Sequence, residues 1–420
     1  MGFGAGGSEF RPLDYVRITI FGLAMTALWS SLHSIILPLR IADFIPQSQQ
    51  ASYLGWLTFS GLILAILVQP IAGLISDHSG HRWGRRRPYI LFGAIMTLAF
   101  LPGIGLVGSW PALFAIYYLL QASANTALGP YLAFIPDLVP ADKRGQAAGV
   151  KGLLDIVGGV TFVWLVGQLM GNYSPGAESW WLWLSLGVLA AVFLGTMLAT
   201  IFTVKEEAGP GVARPPLRSM LRRSFRIDVK ASPDYVRFLA GRLLFVMPLT
   251  TLQVFGLFFF RDVAGAANPA AVVGNFVLYS GIAMLATVYL AGRLSDRFGR
   301  RPVGLISGII GALGIGLLFF LDRSSLVFIA AAVLMGVGFG GLMSSNWALA
   351  VDLVPKDEAG KYIGLTNLAT AGGSALARLH GPMIDFFNAR NFGLGYTVML
   401  MSSFIAIITS SALLWGIKKR

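Results

Sequence analysis

The chain has 420 residues, of which 55% are hydrophobic and only 12% charged. A soluble protein carries about 25% charged residues, so a water-soluble globular class is excluded and a polytopic membrane protein is expected. The net charge of +13 sits in short loops between apolar runs, which argues against nucleic acid as a partner, and the lack of cysteine excludes disulfide and thiol chemistry.

Twelve apolar runs are long enough to cross a bilayer. They cover 16–39, 52–76, 89–107, 111–135, 146–170, 180–203, 236–260, 270–291, 303–321, 325–350, 361–387 and 394–416. The first is too long for a signal-peptide core and is expected to be a retained helix. An even number places both termini on one side. Arg82, Arg85, Arg86 and Arg87 crowd one loop, and positive charge marks the cytoplasmic side. Alternate loops carry Lys143, Arg144, Arg293, Arg297, Arg300, Arg301, Lys356 and Lys361, and the tail carries Lys418, Lys419 and Arg420. The opposite ends keep only Arg40, Arg261, Arg323, Arg378 and Arg390. The expected topology is therefore N-in, C-in in the plasma membrane.

The longest hydrophilic stretch, 205–234, separates the sixth and seventh runs. Leu217, Leu221 and Phe225 recur there at helical spacing, each followed by Arg218, Arg222 or Arg226. The pattern predicts a basic amphipathic helix on the inner leaflet, or else a solvated linker. The expected organisation is a first bundle over 1–204, a cytoplasmic linker over 205–234 and a second bundle over 235–420.

Two internal repeats support two halves. Gly73-Leu74-Ile75-Ser76-Asp77 leads into Arg82-Trp83-Gly84-Arg85-Arg86-Arg87-Pro88, and Gly292-Arg293-Leu294-Ser295-Asp296-Arg297-Phe298-Gly299-Arg300-Arg301-Pro302 repeats the pattern. Asp137-Leu138-Val139-Pro140, with Gly145 and Gly149, has its echo in Asp352-Leu353-Val354-Pro355, with Gly360 and Gly364. Glycines four apart at a helix start predict close approach of helix backbones.

The doubled G-x-x-x-D-R-x-G-R-R loop resembles the signature of the major facilitator superfamily of transporters. The first copy departs by a short insertion and reads R-x-G-R-R-R-P, which resembles the sucrose and glycoside–proton symporter branch. The resemblance implies an all-α membrane protein of twelve transmembrane helices in two six-helix bundles, with a substrate path between them. It implies a cytoplasmic gate made of Asp77, Arg85, Arg86 and Asp137, with Asp296, Arg300, Arg301 and Asp352 as the symmetric set. The alternative is that these arginines only enforce topology.

Polar residues inside the runs are costly and so are candidates for function. Gln121 and Asn125 lie one turn apart in the fourth run, in a segment similar to the fourth helix of sucrose symporters. Where the family pattern carries a proton-coupling aspartate, this chain has Gln121, whose amide cannot titrate but can hydrogen-bond a sugar hydroxyl. Lys151 and Asp155 are i and i+4 in the fifth run. They form either a structural ion pair or a proton or cation carrier. His33 either binds substrate, relays protons or is simply packed. Gln69, Gln253, Asn346 and Asn367 complete the expected substrate-binding set. Arg378 and His380 are placed at the extracellular mouth, and Arg242 is expected to snorkel to the cytoplasmic face.

No phosphate-binding G-x-x-x-x-G-K run and no metal-ligand cluster is present in the sequence, so no enzyme activity and no cofactor are expected. The expected activity is secondary transport of a polar organic solute, a glycoside or disaccharide being the best match, by a monomer whose partners are its small-molecule substrate, a co-transported proton where coupling exists, and lipid. An uncoupled facilitator, an exporter of an amphipathic drug, lipid or pigment, and a non-transporting receptor or assembly protein remain the alternatives.

Overall fold

A computed structural model of the chain describes residues 10–174, 179–206, 233–321, 325–353 and 359–417. Among the described residues all regular structure is helical. Helix α1 (Pro12–Ala42) widens into a π turn over Leu32–Ile36, just ahead of Pro38, which has no N–H to donate. α2 (Gln50–Asp77), α3 (Arg87–Leu106), α4 (Trp110–Leu132), α5 (Arg144–Met170) and α6 (Trp180–Thr203) follow. After them come α7 (Pro233–Asp262), α8 (Pro269–Phe298), α9 (Arg300–Phe320) and α10 (Ser325–Leu353). The eleventh run divides at Leu379 into α11 (Ala359–Arg378) and α12 (His380–Asn388), and α13 (Leu394–Trp415) closes the chain.

At 1.5 Å per residue the 30 residues of α7 extend about 45 Å, enough for the hydrocarbon core and both headgroup layers. Among the described residues, ten helices meet the length and apolarity needed to cross a membrane, on composition alone. The other two spans, α4 and α11–α12, carry Gln121, Asn125, Asn367 and their Ser and Thr neighbours.

The helices cluster into two compact units. The first comprises Met1–Ile45 and Ser60–Arg214. In it α1 packs on α5 and α6, and α3 packs on α4 and α6. The second comprises Pro46–Phe59 and Pro215–Arg420. In it α10 packs on α8 and α9, and α7 packs on α11 and α13. The opening turns of α2 thus cluster with the second unit and the rest of α2 with the first.

One expectation changes. A Cβ added at Gly145, Gly149 or Gly364 would meet nothing within 4 Å, so these glycines are not where helices approach closely. Close approach occurs deeper, where a Cβ on Gly158 would lie 2.3 Å from Leu23 O and one on Gly129 would lie 2.2 Å from Gln69 O. The predicted amphipathic helix at Leu217–Arg226, the Lys418–Arg420 tail and Lys356 lie outside the described residues.

Candidate functional site

In the first unit a chain of polar groups runs through apolar packing. Tyr117, Gln121 and Asn125 are spaced four apart on α4 and share one face. Asn125 Nδ2 donates to Gln121 Oε1 at 3.0 Å, and Gln121 Nε2 donates to Tyr117 Oη at 2.7 Å. Tyr117 Oη lies 3.1 Å from His33 Nε2, in the π turn of α1. Trp29, one turn before His33, stacks at 5.4 Å from the imidazole and edge-on to Tyr117 at 6.1 Å. All four polar residues are buried. π turns recur at functional sites because they aim a side chain that a regular helix would not. Of the predicted set, His33, Gln121 and Asn125 come together; Gln69, half-buried on α2, joins none of these bonds.

A second cluster lies on α5. Lys151 Nζ reaches Asp155 Oδ2 at 2.6 Å, as the i, i+4 spacing predicts. Asp155 Oδ1 is buried without a hydrogen-bond partner among the described residues. It faces Gly22 of α1, where a Cβ would lie 2.4 Å away, and the same space holds Tyr131, whose hydroxyl donates to Thr19 O at 2.7 Å.

The loop carrying the first motif is densely paired. Asp137 Oδ2 accepts from Arg85 Nη2 at 2.6 Å and from Arg86 Nη2 at 2.9 Å. Arg86 also pairs with Asp77 and donates to Ser76 Oγ at 2.8 Å and to Gly73 O at 3.1 Å. Glu206, just past α6, accepts from the backbone N–H of Arg86 at 2.8 Å and of Arg87 at 3.1 Å, capping α3. Burial pushes the Glu206 carboxyl above its ordinary value, against the pull of those two amides and of Arg86 and Arg85. Gly84 has a φ of +108°, and a Cβ there would also lie 2.6 Å from Glu206, so the position admits only glycine on two counts.

The second motif is thinner. Arg300 Nε pairs with Asp352 at 2.8 Å. Asp296 is exposed and makes no ion pair among the described residues, and Arg301 Nη2 is buried without a partner. Among the described residues, the expected symmetric set of Asp296, Arg300, Arg301 and Asp352 holds the one ion pair Arg300–Asp352.

In the second unit Asn346 is buried and Asn367 exposed, while Gln253 is half-buried. Arg242 does not snorkel. It is buried, with Nη1 donating to Asn346 Oδ1 at 2.6 Å and Nε donating to Thr370 Oγ1 at 2.8 Å. Neutral acceptors on α10 and α11 hold it inside the unit. Arg378 donates to Ser374 O at 2.6 Å, and His380 sits between Thr251 Oγ1 at 3.1 Å and Ser402 Oγ at 2.7 Å, tying α12 to α7 and α13. Near them, Ser52 N donates to Asp385 Oδ2 at 2.6 Å, Gln47 donates to Asp262 Oδ1 at 2.8 Å, and Arg261 donates to Gln50 Oε1 at 2.8 Å.

Sequence reasoning missed Trp29, Tyr117, Glu206, Asp262, Asp385 and Thr370. Spacing would have found two of them, since Tyr117 is one turn before Gln121 and Trp29 one turn before His33. Glu206 carried no signal, because its partners are backbone amides across 119 and 120 residues of chain.

A helical membrane fold with paired cytoplasmic-type loops and buried polar chains defines a class of solute carriers. The profile of the Major Facilitator Superfamily matches residues 18–378, and the chain belongs to that family. It is similar to the multi-drug resistance efflux pump PmrA of Streptococcus pneumoniae, at 24% identity over 92% of both chains. It is similar to the sucrose transport protein SUT1 of Oryza sativa subsp. japonica, at 26% identity over 50% of this chain and 44% of that one. The fold matches a solved D-xylose–proton symporter with a TM-score of 0.71 at 16% identity, covering 97% of each chain.

Proposed function

We propose that this transporter moves a polar organic solute, a glycoside or disaccharide, by alternating access in the plasma membrane. The chain Trp29–His33–Tyr117–Gln121–Asn125 carries this reading. It offers an aromatic wall beside an imidazole, a phenol and two amides, which together donate to and accept from sugar hydroxyls. Buried groups of this kind discriminate strongly, since a solute lacking the matching hydroxyl leaves them unpaired. The likeness to a sucrose transport protein favours the same substrate class.

The protein acts as a monomer with both termini in the cytoplasm, and a tag at either end should stay inaccessible to an impermeant reagent from outside. The paired loops at Asp77, Arg85, Arg86 and Asp137, and at Arg300 and Asp352, hold one state of the cycle by contacts that the other state lacks. Arg378 and His380 serve the outer end. An exporter of amphipathic molecules is the second reading, favoured by the full-length likeness to a drug efflux pump.

Uptake of labelled sucrose and of aryl glycosides into vesicles separates the two. Tyr117→Phe unlinks His33 from Gln121 and should weaken uptake of the sugar 10-fold or more, since an unsatisfied buried polar group costs about 1–3 kcal/mol. Export of hydrophobic dyes by the wild type, with no sugar flux and no effect of Tyr117→Phe, would support the second reading instead.

A further inference from the structure

Arg242 is the charge that the proposed function leaves unused. It lies on α7 about 14 Å past the start of that helix, nine residues on at 1.5 Å each. Three other arginines are buried among the described residues: Arg40 and Arg86 hold carboxylates, Asp43 for the first and Asp77 and Asp137 for the second, while Arg378 donates to the carbonyl of Ser374. Arg242 has no carboxylate within ion-pair distance among the described residues. Its partners are the amide of Asn346, the hydroxyl of Thr370 and the ring of Trp347, whose face lies 4.8 Å from the guanidinium carbon. A buried charge without a counter-charge is costly, which marks the position as a candidate for function.

The orientation of the partners points the same way. A guanidinium only donates, so the Asn346 atom 2.6 Å from Nη1 must be Oδ1. The amide is thereby fixed with Nδ2 directed elsewhere. Asn346 is only 1% exposed, and its Nδ2 has no hydrogen-bond partner among the described residues. Thr370 Oγ1 accepts from Arg242 Nε and donates to Thr366 O at 3.0 Å, so it is spent. Arg242 Nη2, like Asn346 Nδ2, makes no hydrogen bond among the described residues. Trp347, half exposed at 46%, forms the open wall next to them.

We propose that Arg242 and Asn346 form a binding site for the carboxylate of an organic solute, with Trp347 as the stacking wall. The planar fork of the guanidinium suits a planar carboxylate, and the indole suits the body that carries it. This rests on the transporter reading and narrows its substrate class to acidic solutes, such as uronides or aryl acids.

Purified protein in neutral detergent is titrated with benzoate against benzamide, glucuronate against glucose, and inorganic phosphate, following tryptophan fluorescence. At least one carboxylate should saturate the signal at least 10-fold more tightly than its neutral partner, and Trp347→Phe should remove most of the change. Asn346→Asp gives the guanidinium an internal carboxylate and preserves folding. It should weaken carboxylate binding 100-fold or more, as should Arg242→Gln, with Arg242→Lys between them and wild type. Equal binding of acid and neutral partner, no saturable binding of any carboxylate, tighter binding of phosphate than of the carboxylates, or unchanged affinity in Asn346→Asp each overturns the assignment. Displacement of the signal by stoichiometric phosphatidylglycerol, without carboxylate saturation, reassigns the site to a lipid headgroup and overturns it as well. Flux in vesicles is measured separately. Neutral-sugar flux without carboxylate binding defeats this inference alone, and carboxylate binding without flux of any solute defeats the transporter reading.

Discussion

Two carboxylates on this chain lie in different surroundings. Glu206 lies outside the membrane spans, and its burial favours the protonated form despite two amide donors. A group more easily protonated in the folded state stabilises the fold below its unfolded pKa and loses that contribution as pH rises through the folded value. Glu206→Gln keeps an acceptor oxygen for Arg86 N and removes the titration. Thermal unfolding in detergent at about pH 4 and about pH 7 should show the wild type losing ground to the variant as pH rises, and a constant difference would refute the cause given for the shift. Asp155 differs because one oxygen is held by Lys151 and the other has no hydrogen bond. Gln121 stands where a coupling carboxylate is expected, and we propose Asp155 as the group that carries a coupled proton instead. Asp155→Asn should abolish concentrative uptake under a proton gradient and leave gradient-free exchange intact. Concentrative uptake by that variant would end the assignment.

At the scale of the helix, spacing was legible and contact was not. The i, i+4 pairs Lys151–Asp155 and Gln121–Asn125 formed as their periodicity required, because both partners lie on one helix and need no tertiary information. The fate of Arg242 was not legible, since its amide and hydroxyl partners come from two other helices 104 and 128 residues away. The glycines show the same divide. Gly145 and Gly149 have the four-residue spacing of a packing motif yet meet nothing, whereas Gly158 abuts the backbone of α1. Backbone cannot rotate out of the way, so Gly158→Ala must separate α1 from α5, at a cost of about 1–3 kcal/mol. Gly149→Ala adds a better helix former in open space and should be neutral or stabilising by up to about 1 kcal/mol. Equal loss of thermal stability in the two variants would show that the close contact at Leu23 is not what sets the α1–α5 distance.

Across the whole molecule the repeated sequence has not produced repeated chemistry. Both motif loops place a glycine of positive φ before a pair of arginines, Gly84 at +108° and Gly299 at +92°. The first loop inserts His78–His81 between its aspartate and its arginines, and Arg86 then reaches Asp77, Asp137, Ser76 and Gly73 at once. The second loop is shorter, and its one ion pair among the described residues joins Arg300 to an Asp352 side chain that is 48% exposed. Exposed pairs contribute about 0–1 kcal/mol, while a buried arginine deprived of a partner costs more. The two loops are therefore unequally paired in this structure. Asp77→Asn should lower the unfolding temperature and change the exchange rate of substrate in vesicles by roughly 5-fold or more, the equivalent of about 1 kcal/mol. Asp296→Asn should leave the unfolding temperature unchanged, because its carboxylate has no described partner to lose. Any effect of Asp296→Asn on exchange would then come from a contact made in another state of the cycle. If both variants prove silent in exchange at normal expression, neither loop gates transport and the arginines serve topology alone.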